Sequence, residues 1–186
     1  MERVFGTSKL SVVSGDLLKS PDLDLIVNPA NEALKGGVGM CGDIFKAAGW
    51  SSLKFACEGY LPDVRGVRCP VGESRTTPAF NLPNAGIVHS VCPIVSDEET
   101  PIFIADAYTS ALDECARLGY ASIGVSSMGP LPASEMADLA ISACARWMTA
   151  NRGSSVREVR MVFSLLGEGP GLRLHFLRSL TNLKES

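Results

Sequence analysis

The chain has 186 residues, 46% of them hydrophobic and 20% charged, with a net charge of -3. That balance suits one globular domain and excludes a mainly disordered chain. With 17 Lys plus Arg against 20 Asp plus Glu, it argues against binding long nucleic acid through its phosphates, and two histidines are too few for a histidine-built metal centre.

In chain order, Leu10–Val13 reads as a first strand and Leu23–Val27 as a second, apolar nearly throughout, as a buried parallel strand should be. Cys41–Ala48 reads as a short helix, and the Pro- and Gly-rich stretch from Tyr60 to Gly72 as a long loop. Glu73–Phe80 is a weaker strand whose Pro78 suits an edge or a strand end. Ile87–Val91 comes next as a strand. From Phe103 to Leu118, Ile104, Tyr108, Ala111, Leu112, Cys115 and Leu118 recur at helical spacing, and Gly119 is a natural stop. Ile123–Val125 is a short strand, Glu135–Asn151 a helix, Val159–Leu166 the longest strand, and Leu172–Leu180 a last helix. Strands alternating with helices predict an α/β sandwich with a mixed, mainly parallel sheet, in one domain spanning residues 1–186.

Six cysteines are spread without any CxxC pair, which reads as free, mostly buried thiols in a reducing compartment. No stretch reaches the roughly 18 apolar residues of a membrane span. The first residues lack the charged-then-apolar profile of a secretory leader. A soluble, cytoplasmic, monomeric protein is expected, with no membrane partner.

In an open α/β sheet, ligands bind beyond the carboxyl ends of the strands. Three segments stand there. Ser14-Gly15-Asp16-Leu17 comes after the first strand. Asn28-Pro29-Ala30-Asn31 comes after the second and runs through Gly36-Gly37-Val38-Gly39-Met40-Cys41 into a helix. Ser126-Ser127-Met128-Gly129-Pro130-Leu131 comes after Ile123–Val125. Free N–H groups at a helix start, with glycine allowing close approach, hold an anion without needing Lys or Arg. Two such loops beside strand-end Asp and Asn residues point to a diphosphate.

These strings resemble those of macrodomains. Gly15-Asp16-Leu17, a strand ending Val27-Asn28-Pro29-Ala30-Asn31, a glycine-rich loop, the Cys69–Ser74 segment, Ile87–Pro93 and Ser127-Met128-Gly129 keep that family's order over nearly the whole chain. The resemblance implies a three-layer α/β/α fold that binds ADP-ribose and, in many members, removes it from proteins. It implies that Asp16 accepts a hydrogen bond from the adenine amino group, with Leu17 beside it. Taken alone, Asp16 reads as a turn residue that caps the segment after it. Asn31 is implied to hold the ribose next to the scissile bond, with Asn28 supporting the loop. Gly37, Val38, Gly39 and Met40 would wrap the distal ribose and one phosphate. Ser127, Met128, Gly129, Pro130 and Leu131 would close over the other, although Pro130 brings no N–H. Phe163 is the candidate to stack on adenine, with Ser164 the alternative if strand alternation turns it inward.

Several residues depart from the family pattern. Pro29 stands where alanine is usual, Val38 replaces a glycine, and Leu131 takes a place often held by an aromatic. Cys41 stands where cellular hydrolases carry an Asp, and Gly39-Met40-Cys41 resembles macrodomains of positive-strand RNA viruses. That likeness implies a viral-type nonstructural protein and, if viral, the host cytoplasm. With no partner visible for its thiol, Cys41 reads as a wall of the ribose pocket. The expected activity is a mono-ADP-ribosyl hydrolase acting on modified proteins, with Asn31 and Gly39 at its catalytic end and no metal or cofactor. The alternatives are a reader that binds ADP-ribose without turnover and a degenerate domain that binds RNA or a protein.

Overall fold

A computed structural model describes residues 1–183 of the chain. Seven strands, β1 (Glu2–Phe5), β2 (Ser8–Ser14), β3 (Leu25–Ala30), β4 (Ser74–Pro78), β5 (Gly86–Val91), β6 (Ser122–Val125) and β7 (Glu158–Phe163), form one sheet in the order β1-β2-β7-β6-β3-β5-β4. The five inner strands are parallel, while β1 and β4 run antiparallel at the two edges. Helices α1 (Gly39–Ala48) and α2 (Trp50–Glu58) cover one face. Helices α3 (Thr100–Arg117), α4 (Ala133–Ala150) and α5 (Gly169–Asn182) cover the other. This is the expected α/β/α sandwich.

Strand alternation decides which face each residue serves. In β3, Leu25 and Val27 enter the core under α3 to α5, while Ile26 belongs to the core under α1 and α2. In β7, Val159, Met161 and Phe163 face α3 to α5, and Val162 faces the α1 side. On the α1 side the sheet also carries a polar row. Asn28 Nδ2 lies 3.0 Å from His89 Nδ1, and Thr77 Oγ1 lies 2.9 Å from His89 Nε2, so β3, β5 and β4 are joined through one imidazole. Asn28 and His89 have no solvent exposure. Burial pulls the His89 pKa down to about 4, which keeps the ring neutral.

Most expected elements occupy their places, with shifted ends. The second expected strand starts at Leu25, because Leu23 is a buried anchor packed against Gly124. The last strand stops at Phe163, so Ser164, Leu165 and Leu166 belong to the loop after it. Residues 60–72 contain no helix or strand, as expected.

Candidate functional site

Because the inner strands are parallel, β2, β7, β6, β3 and β5 all end at one edge of the sheet. Three concavities lie along that edge. The largest, about 930 Å³, is walled by Gly15, Asp16 and Leu17 after β2, by Ser164, Leu165 and Leu166 after β7, and by Met40, Asp43 and Ala47 of α1. A central one of about 290 Å³ lies between Pro29 and Ala30 of β3, Cys92 to Ile94 after β5, and Gly129 and Pro130. An outer one of about 380 Å³ adjoins it and shares Cys92, Pro93 and Ile94; Asn31 lies in its wall.

Asp16 caps the single 3-10 turn Leu17–Lys19, its Oδ1 accepting the Leu18 N–H at 3.0 Å. Its second oxygen lies 3.2 Å from Lys19 Nζ, an exposed pair that contributes little to stability. The carboxylate therefore both caps the turn and lines the cleft. Leu17, the first residue of that turn, is 3% exposed and packs in the α1-side core at the floor of the cleft.

Asn31 closes a small ring. Its Nδ2 donates to the Lys35 carbonyl at 2.7 Å and its Oδ1 accepts the Lys35 N–H at 3.0 Å. Leu34, inside the ring, is buried and sits at φ 52. A second amide hydrogen and a second lone pair remain on Asn31 for a ligand. Beyond the ring, Gly37 and Val38 lead to Gly39, the first residue of α1. Val38, the N-cap, brings no side-chain hydrogen bond to that helix end. The first N–H groups of α1 are thus left for another acceptor, where the helix dipole favours an anion. Gly42 lets the loop lie this close: a Cβ there would stand 2.5 Å from the Gly37 carbonyl oxygen.

On the opposite side, Tyr108 of α3 holds the loop after β6. Its hydroxyl donates to the Ser126 carbonyl and accepts the Met128 N–H, both at 3.0 Å. Tyr108 is 1% exposed, and burial raises its pKa well above the usual phenol value, so the hydroxyl stays protonated. Gly129 comes next at φ 123, with Ile104 Cδ1 and Met136 Sδ each 3.0 Å from where a Cβ would stand. Any other residue there would strain the backbone, and its Cβ would make the tips of Ile104 and Met136 give way.

Several expected site residues lie elsewhere. Phe163 is 1% exposed and packs on Phe176 with ring centroids 4.7 Å apart, on the α5 side of the sheet. It cannot stack on a ligand in the cleft; Ser164 lines the cleft instead, as the alternation of β7 requires. Asn28 is sealed within the sheet against His89, so it supports the loop from below without touching a ligand. Met128 sits in the α3-side core with its N–H already taken by Tyr108, leaving Ser127 and Gly129 as that loop's nearer donors. Cys41 is 7% exposed in the α1-side core, its Sγ 3.9 Å from the Lys35 carbonyl, and so lies beneath the loop rather than on its surface. Val38 is 93% exposed, its side chain open to solvent on the loop that leads into α1. Leu131 packs partly buried against the α3-side core. Asp16, Leu17 and Met40 meet in the large cleft, while Gly129 and Pro130 meet Pro29 and Ala30 in the central one.

Sequence reasoning passed over Asp43, the Leu165–Leu166 wall and the role of Tyr108. Asp43 was findable: it lies on one helical face with Met40 and Ala47. Cys92, shared by the two smaller concavities, keeps a neutral thiol, its pKa pushed up to about 12 by burial.

The macro domain family model matches residues 27–130. A macro domain-containing protein of Xanthomonas axonopodis pv. citri is 36% identical over 151 residues, 77% of this chain and 83% of its own length. An O-acetyl-ADP-ribose deacetylase of Escherichia fergusonii is 33% identical over 150 residues, 76% of this chain and 81% of its own. A mutant Oceanobacillus iheyensis macrodomain with ADPR superposes at a TM-score of 0.83, with 29% identity and coverage of 98% and 99%. These relatives are bacterial and lend no support to a viral affinity for the Gly39–Cys41 string.

Proposed function

We propose, on the premise that this chain belongs to the macro domain family, that it binds ADP-ribose along the carboxyl edge of its sheet and hydrolyses ADP-ribose esters, among them mono-ADP-ribose on protein carboxylates. One arrangement carries this reading: the Asp16 cleft, the uncapped start of α1 and the Asn31 ring lie along a single edge.

Each part of the ligand meets a matching group. Asp16 presents a carboxylate to the purine amino group, next to the apolar surfaces of Leu17, Val162 and Leu165. The diphosphate lies against the first N–H groups of α1 and those of Ser127 and Gly129. Backbone donors can hold such an anion in a chain whose net charge is negative. Asn31, already fixed by Lys35, turns its remaining amide hydrogen and lone pair to the distal ribose.

Hydrolysis then depends on placement. A water held by the diphosphate and the Gly39 loop attacks the ester carbonyl, and the fixed donors stabilise the charge that develops. Neither His89, buried and neutral, nor Cys92, a neutral thiol, is asked to act as base or nucleophile. The E. fergusonii relative, named an O-acetyl-ADP-ribose deacetylase, supports ester cleavage as the chemistry.

The test is a calorimetric titration with ADP-ribose, then incubation with O-acetyl-ADP-ribose and with a mono-ADP-ribosylated protein. Binding with release of ADP-ribose is expected. Binding without release from either substrate would make the protein a reader, and no binding at millimolar ligand would overturn both. Asn31→Ala should lower kcat more than it weakens binding.

A further inference from the structure

The outer concavity of about 380 Å³ lies apart from the Asp16 cleft and shares no lining residue with it. It begins at Asn31, where the proposed function puts the distal ribose, and reaches the central concavity through the shared Cys92, Pro93 and Ile94. Its walls are Val71, Val91, Cys92, Val95 and Phe103. Its charged members, Glu32 and Asp97, are both carboxylates. Asp97 is committed: its Oδ1 accepts from Thr100 Oγ1 at 2.8 Å, Thr100 N at 2.9 Å and Glu99 N at 3.1 Å. Those bonds hold its carboxyl below the usual carboxylate range.

We propose that this concavity is an acyl subsite, which takes the aliphatic chain of an ADP-ribose ester whose acyl group is longer than acetyl. The inference rests on the hydrolase reading and names the substrate class for the same site. Three observations support it. The space has room for about a dozen water-sized groups, far beyond one methyl. The walls are apolar, so a methylene chain leaves water on entering. The two carboxylates disfavour an acidic peptide, admit a neutral ester, and repel the carboxylate once it forms.

The step balances without a co-reactant beyond water. The water oxygen bonds to the carbonyl carbon and the bond from that carbon to the ribose oxygen breaks. The ribose oxygen takes one water proton, and the other leaves to solvent as the acid ionises. ADP-ribose and a fatty carboxylate result.

A series of acetyl, propionyl, butyryl and hexanoyl esters of ADP-ribose tests the proposal on the intact protein. Each added methylene should raise kcat/KM by about fourfold, so butyryl should exceed acetyl by about fifteenfold. Val95→Ser, a change at a residue 73% exposed, should shrink the butyryl-to-acetyl ratio toward one while ADP-ribose still binds. Cleavage of the acetyl ester with a flat or falling series overturns the acyl subsite and leaves the hydrolase reading standing. A flat series with faster release from peptides bearing an aliphatic residue beside the modified carboxylate assigns the space to protein side chains and overturns it too. Binding of ADP-ribose without cleavage of any ester removes the hydrolase reading and the subsite with it.

Discussion

The Tyr108 hydroxyl accepts the Met128 N–H at 3.0 Å, and the same oxygen donates to the Ser126 carbonyl. One helix side chain therefore sets the spacing of the turn that faces the Asn31 loop across the groove. Tyr108→Phe keeps the ring in the core but leaves a buried N–H without its partner, which costs about 1–3 kcal/mol. The urea midpoint should fall accordingly. ADP-ribose affinity should fall as well, since the Ser127 and Gly129 donors lose their fixed spacing. An unchanged affinity in titration would separate this brace from ligand binding.

Asp16 serves the fold and the ligand through different properties. Capping of Leu18 N needs only an acceptor, whereas reading an amino group favours a group that accepts and does not donate. Asp16→Asn should therefore keep the melting temperature within a few degrees. It should also reduce the preference for ADP-ribose over inosine-diphosphate-ribose, whose six-position oxygen cannot donate. The loss expected is about tenfold, the worth of one charge-assisted hydrogen bond. Equal preference in wild type and variant would remove Asp16 from purine recognition.

Gly42 sets how low the glycine-rich loop lies on α1. In Gly42→Ala the new methyl would meet the Gly37 carbonyl at 2.5 Å, and the loop must lift. ADP-ribose binding should weaken by an order of magnitude or more while helix content is unchanged by circular dichroism. Trp50 offers a second readout. Its ring fills the space beside Gly36, so its fluorescence should change as the loop shifts.

His89 predicts an acid-side loss of stability. Its folded pKa of about 4 lies below the ordinary 6.5, so the unfolded chain binds the proton first as pH falls. The stability held above pH 6.5 is lost progressively between 6.5 and 4. From pH 7 to pH 5 the loss from this residue should be about 2 kcal/mol. Denaturant midpoints at both pH values check it, and His89→Gln should flatten that part of the profile. The variant will itself be less stable at pH 7, because it disturbs the bonds to Asn28 and Thr77.

The features that escape a reading of the sequence have specific causes. Strand β1 is unexpected because Glu2–Phe5 alternates only between exposed and half-buried positions. Its pairing with β2 at the sheet edge makes it a strand. Helix α2 buries only Leu53 and Cys57, and Phe55 is 80% exposed, so no apolar stripe announces it. Ser164 against Phe163 is a question of parity, settled once β7 takes its register with β2, Ser14 beside Phe163.

The amino-acid pattern alone indicated alternating strands and helices in a mixed, mainly parallel sheet, and with it the carboxyl ends of the strands as the place for a ligand. It also placed Asp16, Asn31 and the two glycine-bearing loops just beyond those ends. Such features are local: they depend on periodicity and on which residues stand within a few positions of a strand end. The tertiary structure decided which groups are free to meet a ligand. Asn28, Cys41, Met128 and Phe163 carry suitable chemistry, yet packing turned each into the core. Tyr108, spaced as a core residue, became the brace of a loop 20 positions away. A side chain's partners across a sheet are set by register and helix docking, and neither is written in the spacing of nearby residues.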